Sequence, residues 1–200
     1  GDLYDIIPMP DTSLLVYVAD VSDKGVPAAL IMAALSTKIR SESRIHTDVD
    51  KLLETINNSL HRLISKEGFF ATIVFVRYWP QSGKMQYSMG GHLQPLWIVE
   101  SGIGYFPQLS GISLGITPDV HFEKKEILLS PGESVILFTD GVVEAENVNN
   151  EMYGHDRMVD YIKNSKGPPW GKGLLGSVHD WQGDSPATDD LTILEIWRDK

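Results

Sequence analysis

The sequence contains no cysteine and few basic residues. Because all 200 residues lack a thiol, the chain can form neither a disulfide nor a thiolate zinc site, and it cannot use a cysteine nucleophile. Lys and Arg together number 17, against 27 Asp and Glu, which gives a formal net charge of −10. Proteins that bind the phosphate backbone of nucleic acids need clustered cations. We therefore expect no nucleic-acid partner.

Long apolar runs are also missing. No stretch approaches the roughly 20 apolar residues of a membrane span, and the opening Gly-Asp-Leu-Tyr-Asp has neither the basic nor the apolar region of a signal peptide. We expect a cytoplasmic domain over residues 1–200 without direct membrane contact. Because the chain begins at glycine, we expect it to be excised from a larger regulatory protein. That parent could carry a sensor domain or a membrane anchor.

Hydrophobic patterning predicts strands and helices in mixed order. A buried strand is predicted over residues 12–19, and a helix that is apolar on nearly all sides, and so expected to be buried, over 28–39. An amphipathic helix is predicted over 48–66. The remaining predicted strands cover 70–78, 84–89, 95–99, 103–106, 120–129, 134–139 and 191–197, with helices over 156–163 and 174–181.

This order indicates an α+β fold with antiparallel sheets and not a βαβ alternation. The four short strands between residues 70 and 106 are separated by turn compositions, so we interpret them as a meander. A packed pair of sheets flanked by helices would bury every apolar face.

Four aspartates stand at the ends of predicted strands. Asp2 precedes the first, Asp20 ends the second, Asp140 ends a later one and Asp189 leads into the last. Aspartate is depleted in strands, and clustered carboxylates repel one another. Acids in these positions therefore indicate either ordinary turns or bound cations.

The turn interpretation stays open for each acid taken alone. Asp140-Gly141 is a common turn pair, and Ser22 or Asp23 could cap the helix that Pro27 opens. If the acids converge, their oxygen ligands suit Mg²⁺ or Mn²⁺. Two such ions about 4 Å apart can generate hydroxide and clamp phosphoryl oxygens.

Five segments carry a family resemblance. They are GDLYD at 1–5, ADVSDKGVPAALIMA at 19–33, MGGHLQP at 89–95, LFTDGVVEAEN at 137–147 and TDDLTIL at 188–194. In this order they resemble the SpoIIE/RsbU branch of the PP2C-type (PPM) phosphatases over nearly the whole chain. The resemblance implies a four-layer αββα sandwich and two Mn²⁺ or Mg²⁺ ions bridged by a hydroxide that hydrolyses phosphoserine or phosphothreonine on a protein. It also implies a STAS-type anti-sigma-factor antagonist as substrate and regulation by an upstream domain.

The resemblance also assigns roles to individual residues. Asp20 would bridge both metals, and the carbonyl of Val21 would complete one coordination sphere. Asp140 and Asp189 would bind the metal on the phosphate side, and Asp2 would lie near the site directly or through water. Asp20, Asp140 and Asp189 are thus the predicted catalytic set.

The other acids of these motifs, Asp5, Glu144 and Asp190, are expected to support the site structurally. Three positions differ from the family pattern: Asp23 replaces the usual glycine, and the segment at 89–95 differs at Gly90 and Leu93. His92 is expected to be a structural hydrogen-bonding group and not a general acid. An upstream strand and helix found in relatives are expected to be missing, since the chain begins inside its first motif.

Two alternatives complete the hypotheses. The first is a non-catalytic signalling module that keeps the fold but holds metal poorly, because of Asp23 and the truncated start. The second is a phosphate enzyme with an aspartyl nucleophile. It is disfavoured because the acid after Asp140 is Glu144 and does not come two residues on, as the common Asp-x-Asp arrangement requires.

Overall fold

A computed structural model describes residues 1–64 and 68–200. They form two compact units: Gly1–His92 with Pro107–Ser130 (unit 1), and Leu93–Phe106 with Pro131–Lys200 (unit 2). Along the chain the elements are β1 (Asp2–Pro8), β2 (Leu14–Val21), α1 (Val26–Glu42), α2 (Val49–Ile64), β3 (Ala71–Trp79), β4 (Lys84–Gly90), β5 (Leu96–Val99), β6 (Gly102–Tyr105), β7 (Lys125–Leu128), β8 (Ser134–Phe138), α3 (Asp140–Glu144), α4 (Gly154–Asn164), α5 (Gly171–Gln182) and β9 (Ile193–Trp197).

Unit 1 is built on an antiparallel sheet with the strand order β1-β2-β3-β4-β7. β2 lies inside this sheet, and all its residues from Leu15 to Ala19 are buried. Burial on both faces explains why β2 is a continuous apolar run and not an alternating one. The strand extends through Asp20 to Val21, two residues beyond the predicted range of 12–19.

Helix α1 is not buried all round, so that prediction is wrong. Its buried residues form a single stripe, Ala28, Ile31, Leu35 and Ile39, at helical spacing. Leu30, on another side, is 66% exposed. An alanine-rich helix shows little periodicity in sequence, and for that reason its apolar composition suggested more burial than its packing provides.

Helix α2 is amphipathic, as predicted, and buries Leu52, Leu53, Ile56 and Leu60. Leu63 belongs to the predicted apolar stripe but is 58% exposed. The predicted helix extended to residue 66, and positions 65 and 66 lie outside the described residues.

Unit 2 contains an antiparallel sheet with the order β6-β5-β8-β9. Its core joins Ile136 and Phe138 of β8 to Val142, Met158 and Leu174 on the three helices. The predicted meander over residues 70–106 is therefore wrong in one respect: β3 and β4 pair in the sheet of unit 1, whereas β5 and β6 pair in that of unit 2.

Two further elements differ from the sequence prediction. The strand predicted over 120–129 is paired only at Lys125–Leu128; before it, the backbone oxygen of Glu123 accepts a hydrogen bond from the Ser88 hydroxyl. Helix α3 begins at Asp140, where the sequence indicated a turn. No helix in the described ranges is long and apolar enough to cross a bilayer.

A buried arginine, Arg77, links separate segments of unit 1. The Arg77 side chain is 7% exposed and lies 2.9 Å from the carboxylate of Asp11. It also donates to the Ser13 hydroxyl and the Thr47 carbonyl. Hydrogen bonds from Ser13, and then from Arg77 and Trp79, hold the pKa of Asp11 well below its usual range. This ion pair is therefore made with an ionised Asp11.

Candidate metal and active site

The acids of unit 1 meet at the end of its sheet. Asp2 and Asp20 are directly opposed on β1 and β2, and Thr72 on β3 opposes Asp20 from the other side. Directly opposed residues of antiparallel strands share one face. The Thr72 hydroxyl is 2.8 Å from His92 Nδ1, which is consistent with the structural role expected for that histidine. Unit 1 thus brings together Asp2 and Asp20, two of the predicted metal-site residues.

One nitrogen atom shows which oxygens of this loop lie close together. The backbone nitrogen of Gly1 lies 2.9 Å from Asp20 Oδ1, 2.6 Å from the carbonyl oxygen of Val21 and 3.4 Å from that of Asp23. Carboxylate and carbonyl oxygens are the hard ligands that Mg²⁺ and Mn²⁺ prefer.

The loop after Asp20 has left-handed backbone at two residues, one of them Asp23, which replaces the usual glycine. Asp23 has φ 66° and Gly25 φ 85°, both in the left-handed region. Aspartate visits this region more readily than most residues. The proposed cap by Ser22 or Asp23 is wrong, since the N-cap of α1 is Gly25 and no side chain caps it. Ser22 instead exchanges hydrogen bonds with Phe70, just before β3.

In unit 2, hydrogen bonds between Thr139 and Thr192 fix the position of Asp140. Thr139 follows directly after β8. Its N–H donates to the carbonyl of Thr192 while its hydroxyl accepts from the Thr192 N–H, both at 3.1 Å. This brace fixes the start of α3 against the segment that precedes β9. Asp140 and Asp189 flank the brace along the chain.

The close approach of those two segments explains Gly141. A Cβ at this position would lie 2.1 Å from the carbonyl oxygen of Asp190 and 3.4 Å from Asp189 Cβ. Only glycine therefore fits. Asp190 contributes its backbone to this contact, which agrees with the supporting role expected for it, and Asp189 Oδ1 accepts the N–H of Asp190 at 2.9 Å.

Glu144 lies one helical turn after Asp140. Burial raises the pKa of Glu144, and the charges of Asp140 and Asp189 raise it further. The three carboxylates therefore share one electrostatic environment. Asp5, the remaining motif acid, lies 2.7 Å from Arg40 and ties β1 to α1.

Among residues 1–64 and 68–200, no three His, Cys, Asp or Glu side chains form a metal-binding group. The structure joins Asp2, Asp20 and Val21 in unit 1, and Asp140 with Asp189 in unit 2. A single centre containing all five residues stays a prediction. Sequence reasoning did not find Thr72 or the Thr139–Thr192 brace, although Thr139 and Thr192 lie inside the motif segments at 137–147 and 188–194.

A family model decides the relationship. The model of Stage II sporulation protein E (SpoIIE) matches residues 10–199. The chain belongs to the SpoIIE family. This SpoIIE-family chain is 25% identical over 203 residues to phosphoserine phosphatase RsbU of Bacillus subtilis, a match that covers 99% of the chain and 59% of RsbU. It is 27% identical over 189 residues to protein IcfG of Synechocystis, covering 81% of the chain and 30% of IcfG. It thus spans less than two thirds of either relative.

Solved structures confirm the predicted fold. The SiaA-PP2C domain of Pseudomonas aeruginosa matches with a TM-score of 0.85 at 19% identity, covering 100% of this SpoIIE-family chain and 81% of that chain. RsbX, solved in complex with magnesium, matches with a TM-score of 0.67 at 20% identity, covering 98% and 85%. The chain therefore has an α+β fold of the PP2C type.

Proposed function

We propose that this chain is a metal-dependent phosphatase domain that removes phosphate from serine or threonine of a protein. The observation that carries the proposal is the direct opposition of Asp2 and Asp20 on neighbouring strands at the end of the sheet of unit 1, next to the carbonyl of Val21. Membership of the SpoIIE family supports it, as does the similarity to RsbU, a phosphoserine phosphatase.

The residues fit Mn²⁺ or Mg²⁺. Asp20 and the carbonyl of Val21 would hold a cation in unit 1, with Asp2 beside them. Asp140 and Asp189 would do so in unit 2. Burial raises the pKa of Glu144 there, and a cation would relieve the repulsion from Asp140 and Asp189 that raises it further. When bound, two divalent ions supply hydroxide at neutral pH and neutralise phosphoryl charge. The magnesium complex of RsbX supports this choice of ion.

The protein contributes fixed oxygens. Extended strands and short hydrogen-bonded loops hold Asp20 and Asp140, so little reorganisation is needed when charge develops on a phosphoryl group. No protein nucleophile is required, in keeping with the absence of cysteine. The Thr139–Thr192 brace and the Gly141 contact position Asp140 and Asp189 through the backbone.

We extend the proposal to the partner. The substrate is a phosphorylated STAS-type anti-sigma-factor antagonist, as the family resemblance implies. An upstream domain in the parent chain regulates the activity. The matched parts cover only 59% of RsbU and 30% of IcfG, which supports further domains in the parent of this chain.

The alternative of a non-catalytic module rested on Asp23 and on the truncated start. Asp23 has a left-handed backbone, with φ 66°, a conformation that glycine adopts readily. The substitution is therefore compatible with the backbone that a glycine here would allow, and this supports the enzyme.

The test is hydrolysis of p-nitrophenyl phosphate and of a phosphorylated STAS-type protein, with and without Mn²⁺. We expect turnover that EDTA abolishes and added Mn²⁺ restores. Calorimetry under the same conditions measures the affinity for Mn²⁺. Equal turnover in EDTA would reject the mechanism, and failure to bind millimolar Mn²⁺ would favour the non-catalytic module.

A further inference from the structure

The outermost strand β6 differs from the other sheet edges. Edge strands expose unpaired backbone groups, and proteins protect them with charged residues or proline. The sheets of the described residues end in four edge strands, β1, β7, β6 and β9. Three contain protective residues: Asp2, Asp5 and Pro8 in β1, Lys125 and Glu126 in β7, and Glu195 in β9. The sequence of β6, Gly-Ile-Gly-Tyr, contains none.

The hydrogen-bond pattern shows which groups of β6 point outward. Phe106 donates its N–H to the carbonyl of Pro95 at 2.9 Å, and these residues continue the β5–β6 register in which Leu96 opposes Tyr105. Hydrogen-bonded and non-hydrogen-bonded pairs alternate in antiparallel strands. The N–H and C=O of Ile103 and Tyr105 therefore point away from β5. An added strand could form about four hydrogen bonds with them.

The face of β6 that Gly102 and Gly104 share is open. Gly102 and Gly104 are exposed, and a Cβ on either would meet no atom within 4 Å. Their lack of side chains lets another backbone approach closely.

A cavity of 580 Å³ adjoins the end of β6. Tyr105 forms one wall, and the exposed side of α4 forms another. The hydroxyl of Tyr105 lies 2.9 Å from His155 Nδ1, which joins the strand to the helix. A volume of this size lies within the roughly 300–1,000 Å³ of typical ligand sites. The cavity is therefore placed to receive a side chain from a segment lying along the edge.

The charges of the cavity favour a basic side chain. Its charged residues on α4 are Asp156, Asp160 and Lys163, and Lys163 makes only a loose pair with Asp160, at 3.9 Å. Burial, and then the charge of Asp156, raise the pKa of Tyr105, which shows how close Asp156 lies to the strand. Leu93 and Val159 offer apolar surface to the stem of a lysine or arginine.

We propose that the outer edge of β6 binds an extended segment of the phosphoprotein substrate as an added strand, with a basic side chain of that segment in the cavity beside Asp156 and Asp160. This inference rests on the proposed function. Strand addition of this kind takes its affinity from main-chain hydrogen bonds and its specificity from side-chain pockets.

The experiment uses short phosphothreonine peptides that are neutral except for one lysine, moved through successive positions, with a matched glutamate series. Wild-type protein with Mn²⁺ is expected to favour one lysine position by about fivefold in kcat/KM through a lower KM, as for one exposed ion pair. Asp160→Lys should abolish or reverse this preference. Asp180→Lys, the same charge change on α5, should retain it. All three proteins should hydrolyse p-nitrophenyl phosphate equally.

Backbone methylation of the favoured peptide tests the added strand. In an added strand, every second backbone N–H of the peptide faces β6. N-methylation at these positions should weaken binding, measured by fluorescence anisotropy. N-methylation at the intervening positions should not. Absence of a favoured lysine position, the same preference in Asp160→Lys, or equal effects of every N-methyl group would overturn the inference. Lysine-dependent binding without hydrolysis of p-nitrophenyl phosphate would support the docking edge and reject the proposed function.

Discussion

Both units place an aspartate at the end of a buried strand, but they fix it by different means. In unit 1, Asp20 precedes a loop whose shape depends on backbone conformation, with left-handed residues at Asp23 and Gly25. In unit 2, Asp140 begins a helix directly, and the position depends on contact between Gly141 and the carbonyl of Asp190. The position of Asp20 therefore depends on two residues with left-handed backbone, whereas the position of Asp140 depends on close packing.

The electrostatic settings differ as well. Asp20 lies directly opposite Asp2 on the neighbouring strand. Burial raises the pKa of Glu144, and the charges of Asp140 and Asp189 raise it further. We expect a cation bound in unit 2 to reduce this repulsion among its acids.

The largest expected effect comes from removing one charge in either unit. Asp20→Asn and Asp140→Asn should each lower kcat for p-nitrophenyl phosphate by about a thousandfold, since each removes the negative charge of a proposed metal ligand. Steady-state kinetics with saturating Mn²⁺ measures this. The control is Asp180→Asn on α5, which should remain near wild type.

Equal losses would show that the two units contribute to one reaction. If Asp20→Asn retained activity within tenfold while Asp140→Asn lost it, the role proposed for unit 1 would be wrong.

Two glycine substitutions distinguish the stability cost of a steric clash from the cost of an unfavourable backbone conformation. Gly141→Ala should cost about 3 kcal/mol of unfolding free energy, because its Cβ would overlap backbone and force it to move. Gly25→Ala should cost about 1–2 kcal/mol of unfolding free energy because of its left-handed backbone alone. A Cβ at this position would meet no atom within 4 Å. Urea denaturation measures both.

Gly176→Ala is the matched control within α5. A Cβ there also meets nothing within 4 Å, and its φ is not left-handed, so the change should stabilise the protein by about 0.4–1 kcal/mol. If Gly141→Ala were as mild as Gly25→Ala, the close contact with Asp190 would not exist in solution.

Metal should stabilise the fold by relieving the repulsion in unit 2. At a free Mn²⁺ concentration of about 100 times Kd, the gain in unfolding free energy should be about 2.7 kcal/mol. Thermal denaturation with Mn²⁺ and with EDTA measures it. Asp189→Asn should shrink the gain, whereas Asp180→Asn should not. An identical gain in both variants would place the stabilising ion elsewhere.

The sequence predicted much of this organisation where local signals were strong. β2 was recognisable because a strand buried on both faces is a continuous apolar run. Asp2 and Asp20 were recognisable because aspartate is depleted in strands. Helix α3 was missed because five residues show no helical period and Asp-Gly resembles a turn.

Long-range contacts had no local signal. The hydrogen bonds between Thr139 and Thr192 join residues 53 positions apart, so they follow from the pairing of β8 with β9 and not from either motif. The exposed side of α1 was missed for a related reason: its burial depends on which elements cover it, and composition alone does not specify them.

The smallest expected effect separates the stability of unit 1 from catalysis. The folded-state pKa of Asp11 is lowered, chiefly by its hydrogen bond with Ser13 and also by Arg77. Its contribution is therefore present above the ordinary pKa near 3.8 and is lost as pH falls through the folded pKa. Since Asp11 is 46% exposed, Asp11→Asn should cost under about 1 kcal/mol at neutral pH. Urea denaturation measures the unfolding free energies of Asp11→Asn and wild type, and their difference should be smaller at pH 3 than at pH 7. The Mn²⁺-dependent hydrolysis at pH 7 should be the same in both proteins. A difference that grew with acid would contradict the ion pair.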